Sequence, residues 1–321
     1  MIKKFLKFVE IQTKVASVLP FLMGTLMAAY SGVELDAINA LLMLTALLLV
    51  DMGTTGLNHY MDYQKAELKE GYHYEVHNPM GAGELSVKNA QLVLYALFGL
   101  AVIIGLVLFV RTDYIVLLLG AASFGVGMLY SLGPLPISRT ILGEVFSGSF
   151  MGGIIPFLAF YIHSYSKQPI RVHLQDGWLT VALAHQVLLP IAWLCVPFVL
   201  LIANIMLANN ICDREEDIVN KRHTLPVAIG RQAAVKRYIG IVIAAYAVVL
   251  IGVLCGVLPT VLLGVFVLTP IVYRQTERFV KAPVKGKTFV LAVKNFVMTA
   301  TVVNILLFVG VLVNEWIELG V

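Results

Sequence analysis

The chain has 321 residues, of which 59% are hydrophobic and 13% charged, and its mean hydropathy is +0.87. These values exclude a soluble globular domain and predict an integral membrane protein. The net charge is +4, but the basic residues do not form a cluster with aromatic residues, so nucleic acid is not an expected partner. Cys195, Cys212 and Cys255 are scattered without a CxxC spacing and predict neither a disulfide framework nor a zinc site.

Long apolar runs dominate the chain, and a run of about 20 residues is enough to cross the bilayer core. The runs predict an all-α, polytopic membrane protein with nine transmembrane helices in a single domain over residues 1–321. The predicted helices are residues 15–33, 37–57, 90–110, 114–132, 141–162, 184–208, 237–256, 257–274 and 288–313.

The Lys and Arg residues indicate the orientation of these helices. If the N-terminus faces the inside, Arg111, Lys167 and Arg171 lie outside and the other 20 of the 23 basic residues lie inside. This split predicts a multi-pass protein of the cytoplasmic membrane, with its N-terminus inside and its C-terminus outside.

Ahead of the first helix, residues 1–14 mix four lysines with apolar side chains. This basic amphipathic pattern is typical of a segment that lies along the inner membrane surface. A short extension of the first helix, without a separate role, is the alternative.

The second helix ends in a polar stretch. Asn58 and Asp62 are four residues apart and therefore share one helical face. Asp51, Thr54 and Thr55 add polar groups in or near the membrane. Such groups are costly there unless they serve a cavity, a partner or the packing of helices.

The longest polar interval of the chain, residues 63–89, falls on the predicted inner side. A loop of this length predicts a substrate-covering role. His73 and His77 are four residues apart but lack a suitable third ligand. They are interpreted as loop residues rather than as a zinc site.

Residues 130–136, after the fourth helix, are rich in Gly and Pro. They predict a helix break at the inner surface that leaves backbone groups free to line a pocket. Tyr130 and Arg139 are candidate substrate contacts, or they simply close the turn. Glu144 opens the next helix, where a carboxylate is a favourable capping charge. Residues 163–183 predict a polar outer loop with Trp178 as an interface anchor.

The most polar stretch begins at the end of the sixth helix. Asn209, Asp213 and Asp217 are spaced by four residues and would stack on one helical face. Two carboxylates so placed repel each other unless a cation lies between them, and oxygen-only ligands suit Mg²⁺. Lys221 and Arg222 follow and can meet phosphate oxygens. The stretch is interpreted as half of a metal-diphosphate clamp, with a merely solubilising charged loop as the alternative.

Together the two polar motifs, Asn58…Asp62 and Asn209…Asp213…Asp217, resemble those of the UbiA superfamily of intramembrane prenyltransferases, and the resemblance covers the whole chain. The second motif and the turn at residues 130–136 resemble the branch that prenylates 1,4-dihydroxy-2-naphthoate in menaquinone synthesis.

The first motif departs from the family pattern NDxxDxxxD. His59 stands at the usual second Asp, and Ala66 stands at the last Asp with Glu67 one place on.

The resemblance implies Mg²⁺-dependent transfer of a polyprenyl group from a polyprenyl diphosphate to an aromatic acceptor, at the lipid bilayer. It implies two inner active-site loops, residues 63–89 and 209–236. The implied metal ligands are Asn58, Asp62, Asn209, Asp213 and Asp217, of which Asp62, Asp213 and Asp217 are catalytic. The implied substrate contacts are Lys65, Tyr130, Arg139, Lys221 and Arg222.

Other readings stay open at this point. The acceptor could be 4-hydroxybenzoate, a haem, or a sugar-like or lipid molecule, and a relative with lapsed activity would carry the same motifs. A transporter is the main alternative of another class. Transporters keep their polar sites near the bilayer midplane, whereas the acidic groups here lie at the inner helix ends.

Overall fold

The computed structural model describes residues 2–65, 80–82 and 85–318. Its α-helices are α1 (Ile2–Phe8), α2 (Val15–Tyr30), α3 (Ala37–Lys65), α4 (Val87–Arg111), α5 (Tyr114–Ser131), α6 (Gly143–Ser147), α7 (Ile155–Ser164), α8 (His185–Cys212), α9 (Arg214–Val219), α10 (Leu225–Ile229), α11 (Arg231–Leu254), α12 (Thr269–Lys281) and α13 (Phe289–Glu318). A π-helical segment, Gly148–Ile154, joins α6 to α7, and two strands, β1 (Ile170–Gln175) and β2 (Trp178–Leu183), precede α8. Short 3₁₀ helices lie at Ile11–Lys14, Ile137–Arg139, Tyr165–Lys167 and Thr260–Leu268.

Within the described residues, eight helical segments are long and apolar enough to cross a membrane. They match eight of the predicted spans, so the all-α, multi-pass class is confirmed. The remaining predicted span, residues 257–274, is a 3₁₀ helix that continues into α12. The α12 helix carries Arg274, Glu277, Arg278 and Lys281, so the segment is not among these eight, although it returns the chain to the end of α8, where Lys285 contacts Asp213. The predicted number of nine is therefore not confirmed.

Several helices extend past the apolar runs that predicted them. The α3 helix continues to Lys65 and α8 continues to Cys212, so both carry polar residues beyond the membrane core. The backbone hydrogen bonds of a helix are satisfied within the helix itself, so it does not have to end where the apolar side chains end. We call the end of the bundle where α3 and α8 finish the acidic end.

The centre of the bundle is α8, which packs against α11, α13, α6 and the π-helical segment. Leu194, Phe198 and Leu207 of α8 are at most 2% exposed and belong to the largest hydrophobic core. The π-helical segment approaches α8 so closely that a Cβ atom at Gly148 would lie 2.5 Å from the backbone oxygen of Val199. This approach fixes the position of α6 relative to the acidic end of α8.

The N-terminal segment is packed against α3. Phe8 is fully buried, and its ring lies 6.3 Å from that of His59 and fills the space beside Gly56. Glu10 follows in the left-handed region, with a φ of 46°, and turns the chain into α2. The segment is therefore anchored to the site-bearing helix, which the amphipathic pattern of residues 1–14 did not predict.

At the opposite end of the bundle, residues 170–183 are not the loop that their polarity suggested. They form an antiparallel β-hairpin, with Ile170 paired to Leu183 and Gln175 paired to Trp178. Asp176 and Gly177 both have positive φ, as a two-residue type I′ turn requires. The Asp-Gly pair between alternating residues was the overlooked signal. Trp178 is 78% exposed at the tip of the hairpin, so it is free to meet an interface as predicted.

Candidate active site

At the acidic end, Arg222 bridges the two acidic motifs. Its Nη2 atom donates to Asp62 Oδ1 at 3.2 Å, and its Nη1 atom lies 3.5 Å from Asp217 Oδ1. Arg139, from the 3₁₀ turn after α5, approaches Asp62 Oδ1 at 3.8 Å. The two predicted carboxylates from α3 and α9 therefore meet around one guanidinium group.

Asp217 is the most buried carboxylate of this cluster, with a side chain only 3% exposed. Its Oδ2 atom accepts a hydrogen bond from the buried hydroxyl of Thr224 at 2.9 Å, and its carbonyl accepts from the backbone N–H of Arg222 at 2.8 Å. The pKa of Asp217 is raised above its ordinary value, mainly by burial and also by the nearby charge of Asp213. The Arg222 charge and the Thr224 hydrogen bond act in the opposite direction. The side chain is held in one position in spite of the cost of burying its charge.

A second cluster lies at the end of α8. The Asp213 Oδ2 atom accepts from the Asn209 amide at 3.1 Å. The ammonium of Lys285, from the loop between α12 and α13, donates to this same Oδ2 atom and to Asn209 Oδ1. A cation thus already lies between two oxygen atoms that the sequence marked as metal ligands.

Asn209, Asp213 and Asp217 follow one another at a spacing of four residues, but their side chains make different contacts. The turns do continue, because the Asp213 N–H donates to Asn209 O at 3.0 Å and the Asp217 N–H donates to Asp213 O at 2.8 Å. However, α8 ends at Cys212, and Asp213 has φ −90° and ψ 4°. This local bend directs Asp213 towards Lys285 and Asp217 towards Arg222.

In the first motif, His59 stands at the position where the family pattern has a second Asp, and the contacts of the motif differ accordingly. Asn58 Oδ1 accepts from the Ser131 hydroxyl at 3.3 Å. His59 pairs instead with Glu10 of the N-terminal segment, with 3.2 Å between Nε2 and Oε1. The hydrogen bond to His59 lowers the pKa of Glu10, and the charges of His59, Lys14 and Lys285 act in the same direction against burial. A carboxylate is therefore present beside this motif, supplied by another segment.

Glu144 does more than cap α6. It is 5% exposed, and its Oε1 atom accepts from the Asn210 amide at 2.9 Å. Its Oε2 atom is buried and has no hydrogen-bond partner. Tyr130, a predicted substrate contact, lies near the charged groups of Glu144 and Arg222 and interacts with them electrostatically.

Two of the predicted substrate contacts are lysines, and the structure describes the side chain of only one of them. Lys221 is exposed next to Arg222 and adopts a positive φ of 53°. Lys65 is the last residue of α3, but its side chain lies outside the described part of the chain. The loop histidines His73 and His77 also lie outside the described residues, as does most of the predicted substrate-covering loop.

The donor atoms at the acidic end decide whether the predicted magnesium site fits a metal ion. In residues 2–65, 80–82 and 85–318, no three His, Cys, Asp or Glu side chains converge closely enough to hold a metal ion. Around Asn209 and Asp213, however, the donors are all oxygen atoms, and the ammonium of Lys285 stands where a cation is accommodated. The residue types therefore fit a hard divalent cation, and Lys285 and Arg222 balance the carboxylates.

Lys285 and Glu10 were not predicted as site residues. Lys285 follows Lys281 and precedes Lys287 in a short basic loop, and nothing in the sequence distinguishes it from them. The signal for Glu10 was indirect, because its partner His59 stands where the family motif expects a carboxylate. Both residues reach the site from segments distant in sequence.

Helices that span a membrane, with oxygen donors and basic side chains gathered at one end, define an enzyme-like multi-pass membrane protein. The chain belongs to the UbiA prenyltransferase family, which matches residues 17–296. It is a prenyltransferase, and the transporter reading is set aside. It is 28% identical over 309 residues to the 1,4-dihydroxy-2-naphthoate octaprenyltransferase of Bacillus subtilis (strain 168), with 94% of this chain and 90% of that protein covered.

Solved structures share the fold at low identity. A UbiA homologue from Aeropyrum pernix K1 superposes with a TM-score of 0.66 at 17% identity, over 95% of this chain and 98% of that chain. A UbiA homologue from Archaeoglobus fulgidus bound to GPP and Mg²⁺ gives 0.63 at 14% identity, over 96% and 99%. A digeranylgeranylglyceryl phosphate synthase gives 0.62 at 16% identity, over 97% and 98%.

Proposed function

We propose that this prenyltransferase carries out Mg²⁺-dependent transfer of a polyprenyl group from a polyprenyl diphosphate to 1,4-dihydroxy-2-naphthoate. The observation that carries the proposal is the meeting of the two acidic motifs around Arg222 at the acidic end. The naphthoate acceptor is supported by the 28% identity to the 1,4-dihydroxy-2-naphthoate octaprenyltransferase of Bacillus subtilis.

The proposed metal ligands are Asn58, Asp62, Asn209, Asp213 and Asp217. When bound, the metal supplies positive charge that offsets the charge of the diphosphate leaving group. Arg222 and Arg139 are the proposed donors to the diphosphate oxygens, and their shared contact with Asp62 supports a role on the same side of the site. Lys65, Lys221 and Tyr130 complete the proposed substrate contacts.

The reaction requires the allylic C–O bond of the prenyl diphosphate to break and a C–C bond to the aromatic ring to form. The diphosphate departs with the bonding electron pair, and the ring then loses its carboxyl group as carbon dioxide or loses a proton. The role of the basic side chains is to hold the leaving group in place while its charge develops.

An apolar cavity of about 340 Å³ lies among α3, α4, α5 and α7 and provides space for an isoprenoid chain. Val50 of α3 lines it, about two helical turns, or ~12 Å, from Asn58 on the same helix. Phe124 and Leu158 line its other walls. A prenyl chain held near Asn58 by its diphosphate can therefore extend along α3 into apolar surroundings.

The direct test is an assay of the purified protein in detergent with Mg²⁺, radiolabelled polyprenyl diphosphate and 1,4-dihydroxy-2-naphthoate. Lipid-soluble product that disappears with EDTA is the expected result. Product with 4-hydroxybenzoate but not with the naphthoate would keep the reaction and change the acceptor. No product with any aromatic acceptor would contradict the proposal and favour lapsed activity.

Asp213→Asn tests the metal assignment. We expect turnover to fall at least about a hundredfold, because the variant removes the charge that holds the cation but keeps the shape of the side chain. The matched control is Glu215→Gln, two residues on, whose side chain is 76% exposed and pairs with Arg214. Full activity of Asp213→Asn would show that this carboxylate is not a ligand.

We also propose that the acidic end faces the cytoplasm, with the N-terminus inside and the C-terminus outside. This orientation follows the excess of basic residues at that end. Alkaline phosphatase inserted at Asp176 in the hairpin should be active, and the same enzyme inserted at Gly286 should be inactive. The reverse pattern would invert the topology.

A further inference from the structure

Lys285 reaches the acidic end from a loop that no sequence pattern marked as part of the site. The loop joins α12 to α13, and the side-chain ammonium contacts Asn209 and Asp213, more than seventy positions earlier in the chain. The ammonium also lies 5.3 Å from the centre of the Phe289 ring, which provides a cation–π contact.

The oxygen atoms that Lys285 contacts are ones that a metal ion would need. Asn209 Oδ1 and Asp213 Oδ2 both accept from the ammonium, and both belong to the proposed ligand set. An ammonium on these atoms opposes the approach of a divalent cation, because the two positive charges repel each other at close range. Movement of the Lys285 side chain away from them would relieve this repulsion.

Hydrogen bonds hold the backbone of the loop near Lys285, so a movement of the side chain alone is sufficient. The Val284 N–H donates to the Thr288 hydroxyl at 2.8 Å, and that hydroxyl donates to Ala282 O at 2.6 Å. Arg231 donates to Pro283 O at 3.5 Å. The Lys285 side chain itself is 40% exposed, and its four-carbon stem is flexible.

We propose that Lys285 is an exchangeable counter-ion and positioning residue. In the substrate-free protein it holds Asn209 and Asp213 together in place of the metal, and when the metal and a diphosphate bind it turns to the diphosphate oxygens. The proposal rests on the function proposed above. It assigns to Lys285 two opposite effects: competition with the metal alone, and attraction of the diphosphate.

Lys285→Met separates these effects. We expect Mn²⁺ alone to bind about tenfold more tightly to the variant, because the competing ammonium is gone, and geranyl diphosphate with Mn²⁺ to bind about tenfold more weakly. Both affinities are measured on the purified full chain in detergent, the first by the loss of the free Mn²⁺ resonance signal and the second by calorimetric titration. A purely structural role would lower both affinities together and would overturn the proposal, as would unchanged affinities.

Two further variants control the measurement. Lys281→Met removes a lysine from the end of α12 that is 71% exposed and pairs with Glu277 at 2.7 Å, and it should change neither affinity. Lys285→Arg keeps the charge and should retain diphosphate binding within about threefold. Loss of diphosphate binding in the Arg variant equal to that in the Met variant would contradict a role based on charge.

Wild-type protein offers a test that needs no variant. If the ammonium leaves Asn209 and Asp213 on metal binding, the rate at which an amine-reactive reagent labels Lys285 should rise several-fold with Mn²⁺ alone and fall again with added pyrophosphate. Unchanged labelling, read by mass spectrometry, would overturn the exchange. Wild-type protein that binds neither Mn²⁺ nor geranyl diphosphate would refute the proposed function itself, whereas normal binding of both with an unaltered Lys285→Met variant would refute only this inference.

Discussion

Arg222 donates to Asp62 across 160 positions of sequence, with 3.2 Å between Nη2 and Oδ1. The same guanidinium lies beside the buried carboxylate of Asp217. One side chain therefore joins the ends of α3 and α9.

Arg222→Lys should weaken this bridge while keeping its charge. A lysine ammonium cannot reproduce the two-pronged geometry, so we expect the KM for prenyl diphosphate to rise about tenfold and the thermal stability to fall. Arg222→Ala should be more severe, because it leaves Asp217 buried without its charge partner, at a cost of about 3–5 kcal/mol. Arg237→Lys, at an exposed position of α11, is the control and should behave as wild type. Equal KM values for the Arg222→Lys variant and the wild type would argue against substrate binding by the Arg222 guanidinium.

Thr224→Val tests whether Asp217 is held by its hydrogen bond. Threonine and valine have similar shapes, but valine cannot donate to Asp217 Oδ2. A hydrogen bond to a charged group contributes about 1.5–3 kcal/mol to stability. We expect a lower apparent Tm in detergent and reduced turnover. Thr45→Val removes an exposed hydroxyl that bonds only within α3, to Leu41 O, and should leave both quantities unchanged. A Thr224→Val protein with wild-type stability would mean that water replaces the hydroxyl.

Glu10→Gln should give a stability difference that depends on pH. The folded-state pKa of Glu10 lies below its ordinary value of 4.5, mainly through the hydrogen bond to His59. The ionised carboxylate therefore stabilises the fold above pH 4.5, and this contribution is lost as the pH falls through the lower folded-state pKa. We expect the variant to be less stable by up to about 1 kcal/mol at pH 6, and this difference to shrink as the pH falls below 4.5. Unfolding followed by intrinsic fluorescence across this range measures it, and a difference that persists unchanged at pH 3 would exclude the ion pair as its source.

Gly148→Ala should disturb the contact that sets the position of α6 beside α8. The added Cβ would approach the Val199 carbonyl to 2.5 Å and the Ala203 side chain to 2.9 Å. Overpacking of this kind typically costs about 1–3 kcal/mol. Gly99→Ala in α4 adds the same atom where no heavy atom lies within 4 Å, and it should be neutral or slightly stabilising. Similar melting temperatures for the two variants would show that the helices can separate at little cost.

The sequence by itself determined the all-α membrane class, most of the spans and the residues of both acidic motifs. These features are local: an apolar run of sufficient length must be a helix in a bilayer, because only a helix satisfies its own backbone groups there. Spacing by four residues also placed Asn58 with Asp62. It could not show that α8 ends before Asp213, because that depends on the bend at a single residue.

Only the tertiary structure decided which charged side chains meet these motifs. Arg222, Lys285 and Glu10 come from three separate segments, and a polar side chain in a loop carries no periodic signal that reveals its partner. The same holds for the contact between Phe8 and Gly56 and for the length of the segment that includes α12, where charge and hydropathy gave conflicting indications. The sequence therefore specifies the polar groups of the acidic end, and the packing of distant segments determines which cations lie among them.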